Sequence, residues 1–136
     1  MAFLAVDPLI AANIDLERLS AACPGLDPFT VEVRQAPWIV RTVLPKSIAG
    51  IALPWAIYVL PKHFSKPRRE LAPLIAHELT HMHQWRTDGV VKMTARYVAD
   101  YLRHRRRTGS HWEAYNCIQY EVDARSAAEF VCGGHQ

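Results

Sequence analysis

The chain has 136 residues, half of them hydrophobic and 21% charged, with a formal net charge of +3. That length admits one domain with a real core, and the composition is that of an ordinary globular protein rather than a repeat or a low-complexity chain. The longest apolar run, Ile48 to Leu60, is broken by Pro54 and is too short to span a bilayer. Met1 to Pro8 lacks a basic n-region and a clear cleavage site, which argues against a secretory signal. Three cysteines, Cys23, Cys117 and Cys132, form no C-x-x-C pair. An odd count of this kind argues against a disulfide framework and for a reducing, cytoplasmic setting.

Taken in chain order, the elements begin with a short helix. Asn13 or Asp15 can cap it, Ile14, Leu16, Leu19 and Ala22 are its apolar positions, and Pro24-Gly25 ends it. Phe29 to Arg34 alternates and predicts a strand. Trp38 to Leu44 is a second strand candidate, Pro45 to Gly50 a turn or loop, and Ala56 to Leu60 a third strand. Prolines at 54 and 61 suggest that this third strand lies at an edge.

Helices fill the remainder. Leu71, Leu74, Ile75, Leu79, Met82 and Trp85 recur at spacings of three and four, which predicts a helix from about Arg69–Leu71 to Asp88-Gly89. Pro73 falls in its first turn, where proline costs little. A second helix covers roughly Val90 to Arg106, with Val91, Ala95, Val98 and Leu102 as the expected buried stripe. Its end carries Arg103-His104-Arg105-Arg106-Arg107, a solvated run that complements the helix dipole before the Gly109 stop. A third helix starts at Ser110, where Ser110-x-x-Glu113 makes a capping box, and continues to about Cys132. Cys117 and Cys132 would then lie roughly 22 Å apart on one helix and cannot bridge each other within it. The expected fold is α+β: a small, mostly antiparallel sheet followed by three helices.

The motif that carries chemistry is His77-Glu78-Leu79-Thr80-His81, an H-E-x-x-H pentapeptide inside the first long helix. One turn apart on one face, His77 and His81 can reach the same metal ion. Glu78 is turned about 100° away, so it is placed to take a proton from water rather than to join the ligands. Two ligands and one general base form the zinc-hydrolase arrangement. The stripe His77, His81, Gln84, Asp88 is polar throughout, opposite a core stripe of Ile75, Leu79 and Met82.

Catalytic zinc usually takes a third protein ligand and leaves a position for water. Candidates downstream are His83, Asp88, Asp100, His104, His111, Glu113, Glu121, Asp123 and Glu129. Glu121 is preferred, because its face of the third helix (Ala114, Cys117, Ile118, Arg125, Ala128) is mostly small or apolar. A carboxylate buried there needs a partner. Zinc is one; a Glu121–Arg125 pair at i, i+4 is the other.

Ile57-Tyr58-Val59, His77-Glu78-Leu79-Thr80-His81 with Gln84, and Tyr120-Glu121-Val122-Asp123-Ala124-Arg125 together resemble the small gluzincin-type metallopeptidases. The resemblance covers about residues 50 to 132. It implies a strand before the H-E-x-x-H helix and a zinc site completed by a glutamate on a later helix. Arg125 stands where many larger members have an aspartate four residues after that glutamate. The implied activity is zinc-dependent hydrolysis of a peptide or protein substrate, with Glu78 as base and Tyr115, Tyr120, His111 or Arg125 as the donor that stabilises the oxyanion. The strand around Tyr58 would bind an extended peptide by strand addition. The alternative is a latent or non-catalytic zincin-fold binding protein. The tail Gly133-Gly134-His135-Gln136 could supply a further ligand. Nucleic-acid binding ranks last, because no aromatic residues interleave the arginines.

Overall fold

The computed structural model describes residues 2–43 and 48–133. Four short strands, β1 (Ala2–Leu4), β2 (Glu32–Gln35), β3 (Gly50–Ala52) and β4 (Ile57–Val59), alternate with the N-terminal helices α1 (Val6–Ala11), α2 (Leu16–Ala22), α3 (Trp38–Val43) and α4 (Pro61–Phe64). A 3-10 turn at Arg68–Leu71 leads into the helical half: α5 (Ala72–Asp88), α6 (Val90–Thr108), α7 (His111–Cys117) and α8 (Gln119–Cys132). The class is α+β, as expected, with eight α-helices among the described residues rather than the few read from periodicity.

The sheet runs β1-β2-β4-β3 and is mixed, not mostly antiparallel. β1 and β3 each pair antiparallel with a neighbour, whereas β2 and β4 run parallel, with Arg34 opposite Tyr58. β4 is therefore an interior strand, contrary to the edge position suggested by its flanking prolines. Pro54 and Pro61 lie outside its three residues, so neither interrupts a ladder. The edge nearest α5 is β3. Leu60 N–H donates to Ala49 O and Leu53 N–H to Ala56 O. Antiparallel pairing alternates between bonded and non-bonded residues, so Gly50 and Ala52 turn their backbone groups outward.

Two expected elements shift. Of the Phe29–Arg34 strand only Glu32 onward is strand; Phe29 and Thr30 sit in a turn held by Asp27, whose carboxylate accepts the Phe29 N–H at 2.9 Å. Trp38–Val43 is helix α3, not a strand, and Leu44 lies outside the described residues. Val40 N–H donates to Pro37 O to close its first turn. Trp38 and Ile39 are 71% and 57% exposed, so this apolar run has no sheet to join. The expected first helix is α2, capped by Asp15, which accepts the Glu17 N–H.

α5 buries Ile75, Leu79 and Met82 completely. Pro73 sits in its first turn and Gly89, at φ 84°, ends it. Its apolar face joins the main core with Leu9, Leu19, Val33, Ile57 and Val131. A second, smaller cluster (Met93, Ile118 and Tyr120, backed by Trp85, Tyr97, Tyr101 and Tyr115) lies beneath α6 and α7.

α6 turns over the expected stripe. Val91, Val98 and Leu102 are 84%, 49% and 50% exposed, and Ala95 is exposed with them. The inward face carries Met93, Tyr97 and Tyr101 instead. Aromatic rings bury area as aliphatic groups do, and their hydroxyls find partners inside. The arginine run is exposed at the helix end, and Gly109 takes the left-handed conformation that closes it.

The expected third long helix is two. Ser110 caps α7 through the Glu113 N–H, but Ile118 is extended (ψ 129°) and α8 starts anew. Cys117 and Cys132 thus sit on different helices, and all three cysteines are free. No described helix is long and apolar enough to cross a membrane.

Candidate metal centre

His77 and His81 emerge from α5 one turn apart, with ring centroids 4.7 Å apart and planes at 78°. Because α8 restarts at Gln119, Glu121 enters in its first turn and meets both rings. Glu121 Oε1 lies 3.2 Å from His77 Nε2 and 3.1 Å from His81 Nε2, and the two ring nitrogens are 3.1 Å apart. Zinc bonds of about 2.0–2.2 Å in tetrahedral array place neighbouring ligand atoms about 3.3–3.6 Å apart. The three atoms form a near-equilateral triangle slightly tighter than that, so the donor set fits a divalent ion of this size. Two neutral imidazoles and one carboxylate are also the right donor chemistry for zinc. Among the described residues this is the one cluster of His, Cys, Asp or Glu that could hold a metal.

Surrounding groups orient the donors. His81 Nδ1 lies 2.8 Å from Gln84 Oε1, and Gln84 Nε2 donates to the Tyr120 carbonyl at 3.0 Å. With the amide fixed this way, Oε1 faces the ring, so Nδ1 carries the proton and Nε2 is directed at the triangle. On Glu121, Oε2 accepts the Tyr97 hydroxyl at 2.7 Å, leaving Oε1 to the histidines. The Glu121–Arg125 alternative does not form. Arg125 donates to Asn116 Oδ1 and to the Asn116 carbonyl, bracing the α7–α8 break.

Electrostatics follow this packing. Burial alone would raise the Glu121 carboxyl, but bonds from His77, His81 and Tyr97 outweigh it and hold it far below the usual carboxylate range. Burial alone would lower His81; the Glu121 carboxylate and Glu78 outweigh it and push the imidazole up to about 9. Glu78 is 5% exposed, and burial pushes its carboxyl up. The Tyr97 and Tyr115 phenols are raised by burial and by the adjacent Glu121 carboxylate.

Two depressions meet at Gly50, Glu78, Tyr115 and Glu121. One, of ≈ 250 Å³, is walled by Ile51, Trp85, Met93, Tyr97 and Val98 and is largely apolar. The other, of ≈ 490 Å³, is more open and reaches His77, Trp112, Asn116, Arg125 and Glu129. The Trp85 indole donates to Ala52 O at 2.9 Å, tying α5 to the outer edge of β3.

The remaining residues singled out in the sequence separate clearly. Tyr115 lines both depressions. Tyr120 points away and donates to Asp88 Oδ2. His111 is bonded to the Tyr101 hydroxyl through Nδ1 at 2.8 Å. Arg125 lines the open depression but is engaged by Asn116. Among the rejected third ligands, Asp100 receives the Gln119 N–H, Asp123 the Gln119 side chain, and Glu129 is exposed. His135, offered as a further ligand, lies outside the described residues. Sequence reasoning passed over Tyr97, whose only signal was an aromatic hydroxyl one turn from other inward positions of α6.

No protein-family model, curated protein or solved structure matches the chain. The functional reading therefore stands on the geometry of this site.

Proposed function

We propose that the chain is a zinc-dependent peptidase whose metal is held by His77, His81 and Glu121 and whose general base is Glu78. The observation that supports this most directly is the triangle of donor atoms with sides of 3.1, 3.1 and 3.2 Å, in which the second polar atoms of His81 and Glu121 are held by Gln84 and Tyr97. Bound there, zinc would lower the pKa of a water towards neutrality and polarise a carbonyl oxygen.

The chain's own residues account for the rest. Glu78 belongs to the wall of both depressions beside the triangle but not to the donor set. Burial raises its carboxyl above the usual carboxylate range, the direction that makes it a stronger base. It therefore takes the proton of the attacking water and passes it to the departing amine. Of the four candidate donors Tyr115 is the one that lines both depressions, beside Glu121 and Tyr97, and so is best placed to face developing negative charge; Tyr120 and His111 are engaged elsewhere and Arg125 is bound to Asn116.

An extended peptide would find its backbone partners at Gly50 of β3, not on the strand of Tyr58, since Ala52 is already engaged by the Trp85 indole and by Glu78. Gly50 lies on the outer edge of β3 and in the wall of both depressions, so a strand added there runs past the base and the metal ligands. Such a peptide would drop a large apolar side chain against Ile51, Trp85 and Met93.

Glu78→Gln is the decisive test. The substitution leaves the three donors intact, so zinc content should match wild type while peptide cleavage is lost. Cleavage retained in the variant would remove Glu78 from the role of base. Zinc bound by wild type without cleavage of any casein or peptide substrate would leave a binding protein in place of an enzyme.

A further inference from the structure

The carboxylate of Glu121 has two oxygens, and only one of them faces the histidines. Oε1 makes both imidazole contacts. Oε2 is taken by the Tyr97 hydroxyl, at 2.7 Å. A carboxylate free at both oxygens can swing to offer either or both to a cation. One pinned at Oε2 by a half-buried donor offers a single atom. We infer that Tyr97 is a positioning residue that restricts Glu121 to binding a metal through one oxygen, Oε1. This rests on the reading of the triangle as a metal centre.

Three features support the assignment. Tyr97 belongs to α6, whereas Glu121 belongs to α8, so the bond ties the donor to a separate packed element. α6 uses its inner face for this contact and for Met93, although Val91, Ala95, Val98 and Leu102 of the same helix stay exposed. Tyr97 also walls the apolar depression, together with His81 and Glu121.

A tyrosine filling space would be replaced by phenylalanine without effect, so Tyr97→Phe separates the two roles. Zinc affinity is measured by competition with a chromophoric chelator, and coordination by the visible absorption of the cobalt(II)-loaded protein. Wild type should show the intense bands of a four-coordinate site. Tyr97→Phe should bind zinc about 10–100-fold more weakly, the usual loss when a group orienting a ligand is removed. Its cobalt bands should weaken as the released oxygen joins the metal and coordination rises. In a Glu121→Ala background the same change should have no further effect on affinity.

Wild-type affinity and an unchanged cobalt spectrum in Tyr97→Phe would overturn the assignment, as would an equal loss in the Glu121→Ala background. Circular dichroism of each variant identifies unfolding. Should Tyr97→Phe unfold, a Tyr97→Trp variant that folds and regains full affinity without the phenol would likewise overturn it. If wild type binds neither zinc nor cobalt, the metal reading itself fails, an outcome distinct from the others.

Discussion

Adding and removing zinc should move the melting temperature of this protein by an amount that can be stated beforehand. The three donor atoms already sit within 3.1–3.2 Å of one another in the folded chain. Unfolding separates Glu121 from the histidines by 44 and 40 residues of chain, so only the folded state presents the full donor set. A ligand that binds the folded state alone stabilises it by RT ln(1 + [L]/Kd), about 2.7 kcal/mol at a hundredfold excess over Kd. For a chain of this size each kcal/mol is worth about 3–5 °C, so the shift should be roughly 10 °C. Thermal unfolding followed by circular dichroism, with a chelator and then with buffered zinc, measures it. Glu121→Ala, His77→Ala and His81→Ala should each remove most of the shift. Glu78→Gln should keep it, because Glu78 is not a donor. An equal zinc-induced shift in Glu121→Ala would mean that the ion binds elsewhere and that the triangle is a hydrogen-bonded cluster.

Other expectations concern the same residues. In metal-free protein His81 has its folded pKa raised to about 9, so the stability it contributes is complete below about pH 6.5 and is lost as pH rises through 9. Glu121 is depressed, so its contribution is present above about pH 4.5 and is lost in acid. The chelated protein should therefore melt lower at pH 9 than at pH 6.5, and zinc, which needs neutral imidazole, should abolish that difference; a chelated protein equally stable at both values would contradict the His81–Glu121 pairing. Tyr115→Phe should lower kcat about 100–1000-fold with little change in KM or zinc content, as loss of an oxyanion donor does, and an unaltered kcat would discharge Tyr115 from that role. Asp100→Ala removes the acceptor for the first N–H of α8, which has no side-chain cap of its own. The loss should cost about 1 kcal/mol, a fall of about 3–5 °C, and should weaken zinc binding; unchanged melting and affinity would show that α8 needs no support there.

How much of this was written in local sequence differs from part to part. His77, Glu78, His81 and the buried face Ile75, Leu79, Met82 follow from helical spacing alone, since a period of 3.6 residues converts sequence separation directly into direction. Glu121 was reachable because a carboxylate among small and apolar neighbours needs a partner. The break at Ile118 was not reachable. No glycine or proline marks it, and the contacts that impose it, Asp100 to Gln119 N–H and Arg125 to Asn116, come from residues 19 and 9 positions away. The strand expected at Trp38 shows the same limit. β-branched and aromatic residues favour strands only where a sheet is there to receive them, and Trp38 and Ile39 are left in solvent.

α6 gives the reason these misses cluster around the site. Its apolar periodicity points one way and its structural role another. Val91, Ala95, Val98 and Leu102 stay exposed in whole or part, while Tyr97 and Asp100, three residues apart and so on neighbouring faces, reach inward to Glu121 and to the start of α8. A helix placed for hydrophobic burial alone would have rolled its valines inward. Its present orientation is held by bonds to α8, the element that carries Glu121. The position of α6 and the position of Glu121 thus depend on each other, and both depend on α8 beginning at Gln119. Disturbing any one of Tyr97, Asp100 or the Ile118 break should therefore be felt first in metal affinity, before the main core around α5 loosens.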